Sequence, residues 1–276
     1  MLKMFLATFF LCNFALAQAP KKDLTSAEGN LMKAEALRLW QKRDVQESLE
    51  ESLSKFEQAL AADPENIELL TYLARGYFTL AELHLDNKDL KMKNFEKAIE
   101  FGERGMSTNP EFKKRAKDDI KGAIEKLSDR EVPITFWTAA SRGKWSKLNG
   151  VMSSLKYKDQ IISMIKKVES LRPNFYYGAV PRYWGGFYAV APRIAGGDMK
   201  KSKKNFKKAM EMAPEYLGTK VLFAELYCVE EDDKKEFKKQ LQEVIAAPNG
   251  PIEITPENIL EKRKAEKLLN NIDDIF

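Results

Sequence analysis

Bulky and small apolar residues recur along the chain at helical spacing, in a repeated order. Phe56, Ala59 and Pro64 in KFEQALAADPEN stand at the same offsets as Phe206, Ala209 and Pro214 in NFKKAMEMAPEY. Ile165 and Val168 precede Pro173 at those offsets, and Gly102 and Gly105 precede Pro110. Residues three apart share one face of a helix, and a proline soon after cannot donate an amide to a further turn. Leu70, Leu73, Ala74 and Tyr77 carry a complementary large-and-small pattern, as do Phe223, Ala224 and Tyr227. The pattern predicts five helical hairpins in which a small residue on one helix lets a bulky residue of its partner approach the backbone.

The closing prolines are Pro64, Pro110, Pro173, Pro214 and Pro248, and the last two are 34 residues apart. That is the period of the tetratricopeptide (TPR) repeat, a helix pair that stacks on its neighbours to form a continuous core. The other intervals depart from it. The 46 residues from Pro64 to Pro110 predict longer helices around Leu83 to Phe101, and the 63 from Pro110 to Pro173 predict an additional helix from about Glu111 to Leu127. Glu131-Val132-Pro133 opens a new helix, with proline where helix starts favour it. It carries Trp137 and Trp145 on roughly one face. Pro256 opens a final amphipathic helix through Ile259, Leu260, Arg263, Leu268, Leu269 and Ile272, expected to cap the open end of the array. The expected fold is all-α: an irregular TPR-like helical-hairpin array (α-solenoid) of about twelve helices with a C-terminal capping helix and no strand.

The first residues follow a different rule. Met-Leu-Lys leads into an apolar run from Met4 to Leu16, then Ala15-Leu16-Ala17 ahead of Gln18. This is the layout of a secretory signal peptide, and the run is too short for a permanent membrane span. Residues 1–17 are read as a signal peptide cleaved after Ala17, and 18–276 as a single TPR-like α-helical domain in the periplasm. Lipidation at Cys12 is the alternative, disfavoured by Leu11 before it, and an uncleaved anchor is a third. No later stretch is long and apolar enough to cross a bilayer.

Composition changes this picture little and narrows the chemistry. Charged residues make up 32% of the chain, Gly and Pro are few, and the formal net charge of +5 does not demand an anionic polymer as partner. Nucleic acid is not an expected partner after export. Only His84 could serve as an imidazole base, and HExxH, GxSxG, a phosphate-binding Gly-rich loop and paired zinc cysteines are all missing. No enzyme, cofactor or metal site is expected. His84 reads as structural, and Cys228, alone once Cys12 leaves, as a small core hydrophobe. Glu230-Glu231-Asp232-Asp233 reads as a solvated interhelical turn rather than a cation site. Lys200, Lys201, Lys203, Lys204, Lys207 and Lys208 form either the wet face of a repeat helix or a docking patch for an acidic protein or anionic lipid head groups.

The segment from Asn174 to Asp198 departs most from a repeat. Phe175, Tyr176, Tyr177, Tyr183, Trp184, Phe187 and Tyr188 are mixed with glycines, prolines, Arg182 and Arg193. Such a mixture suits a ligand cleft, in which the arginines engage a carboxylate or a partner's acidic residue. It equally suits an aromatic core between repeats, with Gly185 and Gly186 permitting close packing. The candidate ligand- or partner-binding set is Trp137, Trp145, Tyr176, Tyr177, Arg182, Tyr183, Trp184, Phe187, Tyr188 and Arg193.

The run YYGAVPRYWGGFYAVAPRIAGGDMKKSKKNFKKAMEMAPEYLGTKVLFAELYCV, preceded by FWTAASRGKW and followed by PENILEKRKAEKLLNNIDDIF, resembles the T component of TPR-associated TRAP (tripartite ATP-independent periplasmic) transporters. The resemblance implies an all-helical periplasmic protein with degenerate repeats and a lengthwise cavity. It also implies association with the transporter's periplasmic substrate-binding P component. The function implied is non-enzymatic: helping to deliver an apolar or amphipathic small molecule or lipid to an ion-gradient-driven transporter. Some relatives are lipoproteins, whereas Cys12 lacks a good lipidation context. Homo-oligomerisation is left open. The alternative is a general TPR scaffold for cell-envelope assembly without a small-molecule ligand.

Overall fold

The computed structural model describes residues 25–276, so the export signal expected at residues 1–17 lies outside the described residues. Helices pair as neighbours: α1 (Ser26–Trp40) with α2 (Gln46–Ala62), and α3 (Ile67–Thr79), which continues through a π turn at Leu80–His84, with α4 (Lys88–Met106). Two short helices, α5 (Pro110–Arg115) and α6 (Ile120–Ile124), lead to the pair α7 (Val132–Asn149) and α8 (Val151–Leu171). Then come α9 (Ala179–Val190) with α10 (Met199–Met212), and α11 (Gly218–Leu222), extended by a π turn at Phe223–Cys228, with α12 (Lys234–Ala246). The chain ends in α13 (Thr255–Asn270) and α14 (Ile272–Ile275). The fold is an all-α helical-hairpin array, and the described residues contain no strand.

The repeat prolines act where the spacing placed them, with one exception. Pro64, Pro173, Pro214 and Pro248 each fall just beyond the last residue of α2, α8, α10 and α12. Pro110 opens α5 instead, because the Asn109 side chain accepts from the amides of Glu111 and Phe112 and caps a new helix there. The additional helix expected from Glu111 to Leu127 is split in two. Asp119 accepts from the Gly122 amide and starts α6, competing with continuation of α5. With the short α5, α6 and α14 the described residues hold fourteen helices, against about twelve expected.

Packing follows the small-residue rule. A Cβ on Gly102 would lie 2.0 Å from Thr138 Oγ1, and one on Gly105 2.6 Å from Ile134, so α4 and α7 touch backbone to side chain. A Cβ on Gly185 would fall 2.7 Å from the Phe206 ring and drive α9 off α10. Phe56 and Phe206, the bulky partners of the motif, are fully buried. One apolar cluster runs from Ala36 to Trp184 and a second from Phe206 to Ala265.

The final helix does more than cap an open end. α13 packs on α11 and α12 and also reaches the π turn after α3, closing the array on its own beginning. Its inward residues are Glu257, Glu261 and Lys264, one helical turn apart in succession; Glu257 meets Arg43 and Arg75, and Lys264 meets Glu82, on the first two hairpins. Polar complementarity, rather than an exposed outer face, fixes its place.

Closure also gathers the hairpin tips at one rim. Lys144 reaches Glu82 at 2.5 Å and the Trp145 indole donates to Glu96 at 2.8 Å, tying the α7–α8 tip to the α3–α4 tip. Lys203 lies over Tyr227, joining α10 to the end of the π turn after α11. Lys234–Asp273 and Lys267–Asp86, both 2.8 Å, bring the α11–α12 tip and the end of α13 to the same rim.

Candidate ligand and partner site

The sequence-predicted residues divide into three groups. Trp137, Tyr176 and Arg182 face the interior of the array, with Tyr177 beside them in the wall of an open cleft. Tyr183, Trp184, Phe187 and Tyr188 form a stack along α9. Trp145 and Arg193 stand apart from both.

The interior group is organised around charges that the sequence reading missed. Arg43, 1% exposed, donates from Nε and Nη2 to the two carboxylate oxygens of Glu257 at 2.8 and 2.6 Å. Its remaining donors reach the Trp40 and Glu253 carbonyls. Arg75 donates to Glu257 at 2.7 Å and to the Tyr176 hydroxyl at 2.8 Å. Its guanidinium lies 4.8 Å from the Tyr176 ring, 5.2 Å from Trp40 and 5.6 Å from Trp137, a cation in an aromatic cage. Burial alone would raise the Glu257 pKa, but Arg75 and Arg43 outweigh it and hold the carboxylate charged. His84 donates from Nε2 to the Arg43 carbonyl at 2.8 Å, the structural role expected of it.

Tyr176 and Tyr177 reach this position through an unusual backbone. Their φ values are 42° and 52°, followed by Gly178 at 70°, three successive left-handed residues. For bulky side chains that conformation costs about 1–2 kcal/mol per residue. It persists because Arg182, 8% exposed, donates to the Tyr177 carbonyl at 2.8 Å and to the Thr219 hydroxyl at 3.3 Å. The same guanidinium lies 4.2 Å over the Tyr216 ring, on which Tyr177 stacks. Arg182 thus holds the turn that presents the tyrosines. An open cleft of about 400 Å³ lies beside it, lined by Asn174, Tyr177, Gly178, Met212, Ala213 and Glu215.

Further along the interior, charges from four helices alternate. Lys264 binds Glu225 at 2.6 Å and lies 3.5 Å from Glu82, which also holds Lys144. Burial opposes ionisation of Glu82, yet Lys144 and Lys264 draw its pKa down to about 2. Glu261 is treated oppositely. Burial pushes its carboxyl up to about 7, helped by Glu225 and Glu82, and its Oε2 has no hydrogen-bond partner among the described residues.

On α9, Trp184 is 9% exposed and its indole donates to Glu169 of α8 at 3.2 Å. Tyr183, Phe187 and Tyr188 surround it at ring separations of 5.6 to 5.9 Å. Burial raises the Tyr183 pKa. This is packing between hairpins. Trp145 is half-buried against Tyr157, and Arg193 is exposed at the α9–α10 tip. Cys228 is fully buried, its thiol pushed up to about 12 by burial, and Asp233 caps α12.

Arg43, Arg75 and Tyr216 carried no visible motif. Glu257, Glu261 and Lys264 did: three charges on one stripe of a helix that otherwise alternates normally, spacing that turns them toward a common neighbour.

Fold and interior together define a closed helical-hairpin array with an aromatic and charged axis. The model of the TRAP transporter T-component family, TAtT, matches residues 42–276. The chain belongs to that family. No curated protein matches it. The family is a transporter component rather than an enzyme family, and no helix among the described residues is long and apolar enough to cross a membrane.

Proposed function

We propose that this T component is exported to the periplasm through cleavage of residues 1–17, binds the substrate-binding P component of its transporter, and holds an apolar or amphipathic ligand in passage. The observation that carries the reading is the interior axis. At the rim end of that axis Glu82 and Glu225 of the two π turns face Lys144 of α7 and Lys264 of α13, and the four keep 15–35% of their surface open. Charged groups that remain hydrated while aromatic rings line the next turn suit a ligand with both an apolar body and a polar end. In this reading Trp137, Tyr176 and Tyr177 border the path, and Arg182 positions the tyrosines. The scaffold alternative loses ground because α13 and the Arg43–Glu257 pair occupy the concave face that an open array would offer to a peptide.

Native mass spectrometry of the purified protein tests the ligand, and co-purification with a periplasmic solute-binding protein tests the partner. Retained amphiphile and a P-component complex are the expected results. A ligand-free protein that captures no solute-binding protein would sink the reading. Trp184→Ala separates packing from binding: its burial between α8 and α9 predicts a loss of about 3–5 kcal/mol in denaturant unfolding.

A further inference from the structure

Two neighbouring hairpin tips on the common rim carry apolar side chains that the fold does not use. At the α7–α8 tip, Val151, Met152 and Leu155 are 74%, 79% and 53% exposed; at the α9–α10 tip, Val190 is 49% and Ile194 99% exposed. Single exposed apolar residues are ordinary on a protein surface, but a set projecting from adjacent turns of one rim is not.

The charge around them is one-sided. No acidic residue occurs between Glu131 and Asp159, and exposed Lys147 and Lys156 flank the first tip. Between Glu169 and Glu211 the sole acid is Asp198, whose side chain is engaged in accepting from the Lys201 amide at the start of α10. Lys200 and Lys204 follow on the exposed face of that helix and enter no ion pair among the described residues. Glu82, Glu96 and Asp86 on the rim are engaged by Lys144, Trp145 and Lys267, and the acidic runs Glu230 to Asp233 and Asp273–Asp274 sit on the α11–α12 and α13 side. The most exposed apolar side chains of the rim therefore stand among lysines on the α7–α8 and α9–α10 side, away from the acidic runs.

We propose that this lysine-rich side docks the protein on an anionic lipid bilayer. Met152 and Ile194 lead the two tips into the headgroup boundary, and Lys147, Lys156, Lys200 and Lys204 meet the lipid phosphates. Protein interfaces concentrate Tyr, Trp and Arg at their centres and are depleted in Lys. Aliphatic tips among lysines on flexible stems, with the aromatic residues of α9 turned inward, are the composition of a lipid-surface contact. Because the hairpin tips share one rim, this contact stands the helices on end at the bilayer. The lysine cluster of α10 acquires a role that its own sequence left undecided.

Vesicle co-sedimentation decides it, with every variant in the same full-length background so that residues 1–24 contribute equally. Binding to vesicles of phosphatidylglycerol and phosphatidylcholine should exceed binding to phosphatidylcholine alone and fall with salt. The double variant Met152→Asp/Ile194→Asp should weaken the partition about tenfold or more. Lys200→Gln and Lys204→Gln should each weaken it about fivefold. Ile252→Asp, 74% exposed in the connection between α12 and α13 at the other end of the hairpins, should change nothing. Melting temperatures should be unaltered, since every altered side chain is exposed. Equal partition of wild type and the double variant, whatever its level, overturns the proposal, as does indifference to lipid charge. Loss of an acidic protein partner with vesicle binding intact would assign the patch to protein instead.

Discussion

Helices within and between successive hairpins and helices that meet across the closing seam are joined by opposite means. Between α4 and α7, or α9 and α10, contact depends on absent atoms: Gly102 leaves room for Thr138 and Gly185 for the Phe206 ring. Between α13 and the first two hairpins, contact depends on charges, with Arg43 and Arg75 converging on Glu257. An apolar interface tolerates small slides because dispersion contacts are many and individually weak. A buried pair satisfied on both sides tolerates none, since displacement leaves a charge without water or partner. The hairpins supply adhesion, and the seam specifies where the ring closes.

Breaking the seam should have the largest effect. Glu257→Gln leaves Arg43 buried against a neutral amide and is expected to destabilise by about 3–5 kcal/mol in urea unfolding. A loss below about 1 kcal/mol would mean that apolar packing alone closes the array.

Glu261, one turn further along, gives a test with a definite sign. Its folded pKa of about 7 lies above the ordinary 4.5, so the folded state binds the proton more tightly. Its contribution to stability is complete below about pH 4.5 and is lost as pH rises through about 7. Glu261→Gln, neutral throughout, should match wild type in acid and exceed it by up to about 3 kcal/mol above pH 8. A difference independent of pH would show that the carboxyl titrates alike in the folded and unfolded chain.

The hairpin side of the comparison is probed by Gly102→Ala. The new methyl meets Thr138, and the expected loss is about 1–3 kcal/mol. Recovery in a double variant with Thr138→Ala would localise the clash. Smallest is Asp86→Asn, which removes a partner of Lys267 at the solvated rim, where side chains are 60% and 84% exposed. It should cost less than about 1 kcal/mol, read by thermal melting and vanishing in high salt.

Much of the fold was legible because its signals are local. The proline anchors, the bulky-and-small spacing and the start of α7 at Val132 all reflect what one helix can do with its own residues. The split of α5 from α6 was within reach too, through the capping side chains of Asn109 and Asp119. The candidate site was legible in part. Trp137 and Tyr176 pack together around Arg75 and Tyr177 lines an open cleft, while Trp184 and its neighbours fill a hairpin interface and Arg182 holds a turn. Aromatic density marked a place where helices meet without telling a ligand site from a core.

The amino-acid sequence by itself determined the helices, their pairing into hairpins and the family, since periodicity and capping act within a few residues. Tertiary structure alone decided that the array closes, that Arg43 meets Glu257 and that Tyr176 and Tyr177 adopt left-handed backbone. The physical reason is distance along the chain. Partners 214 residues apart are brought together by the small twists accumulated at every interface between them, which no local pattern encodes.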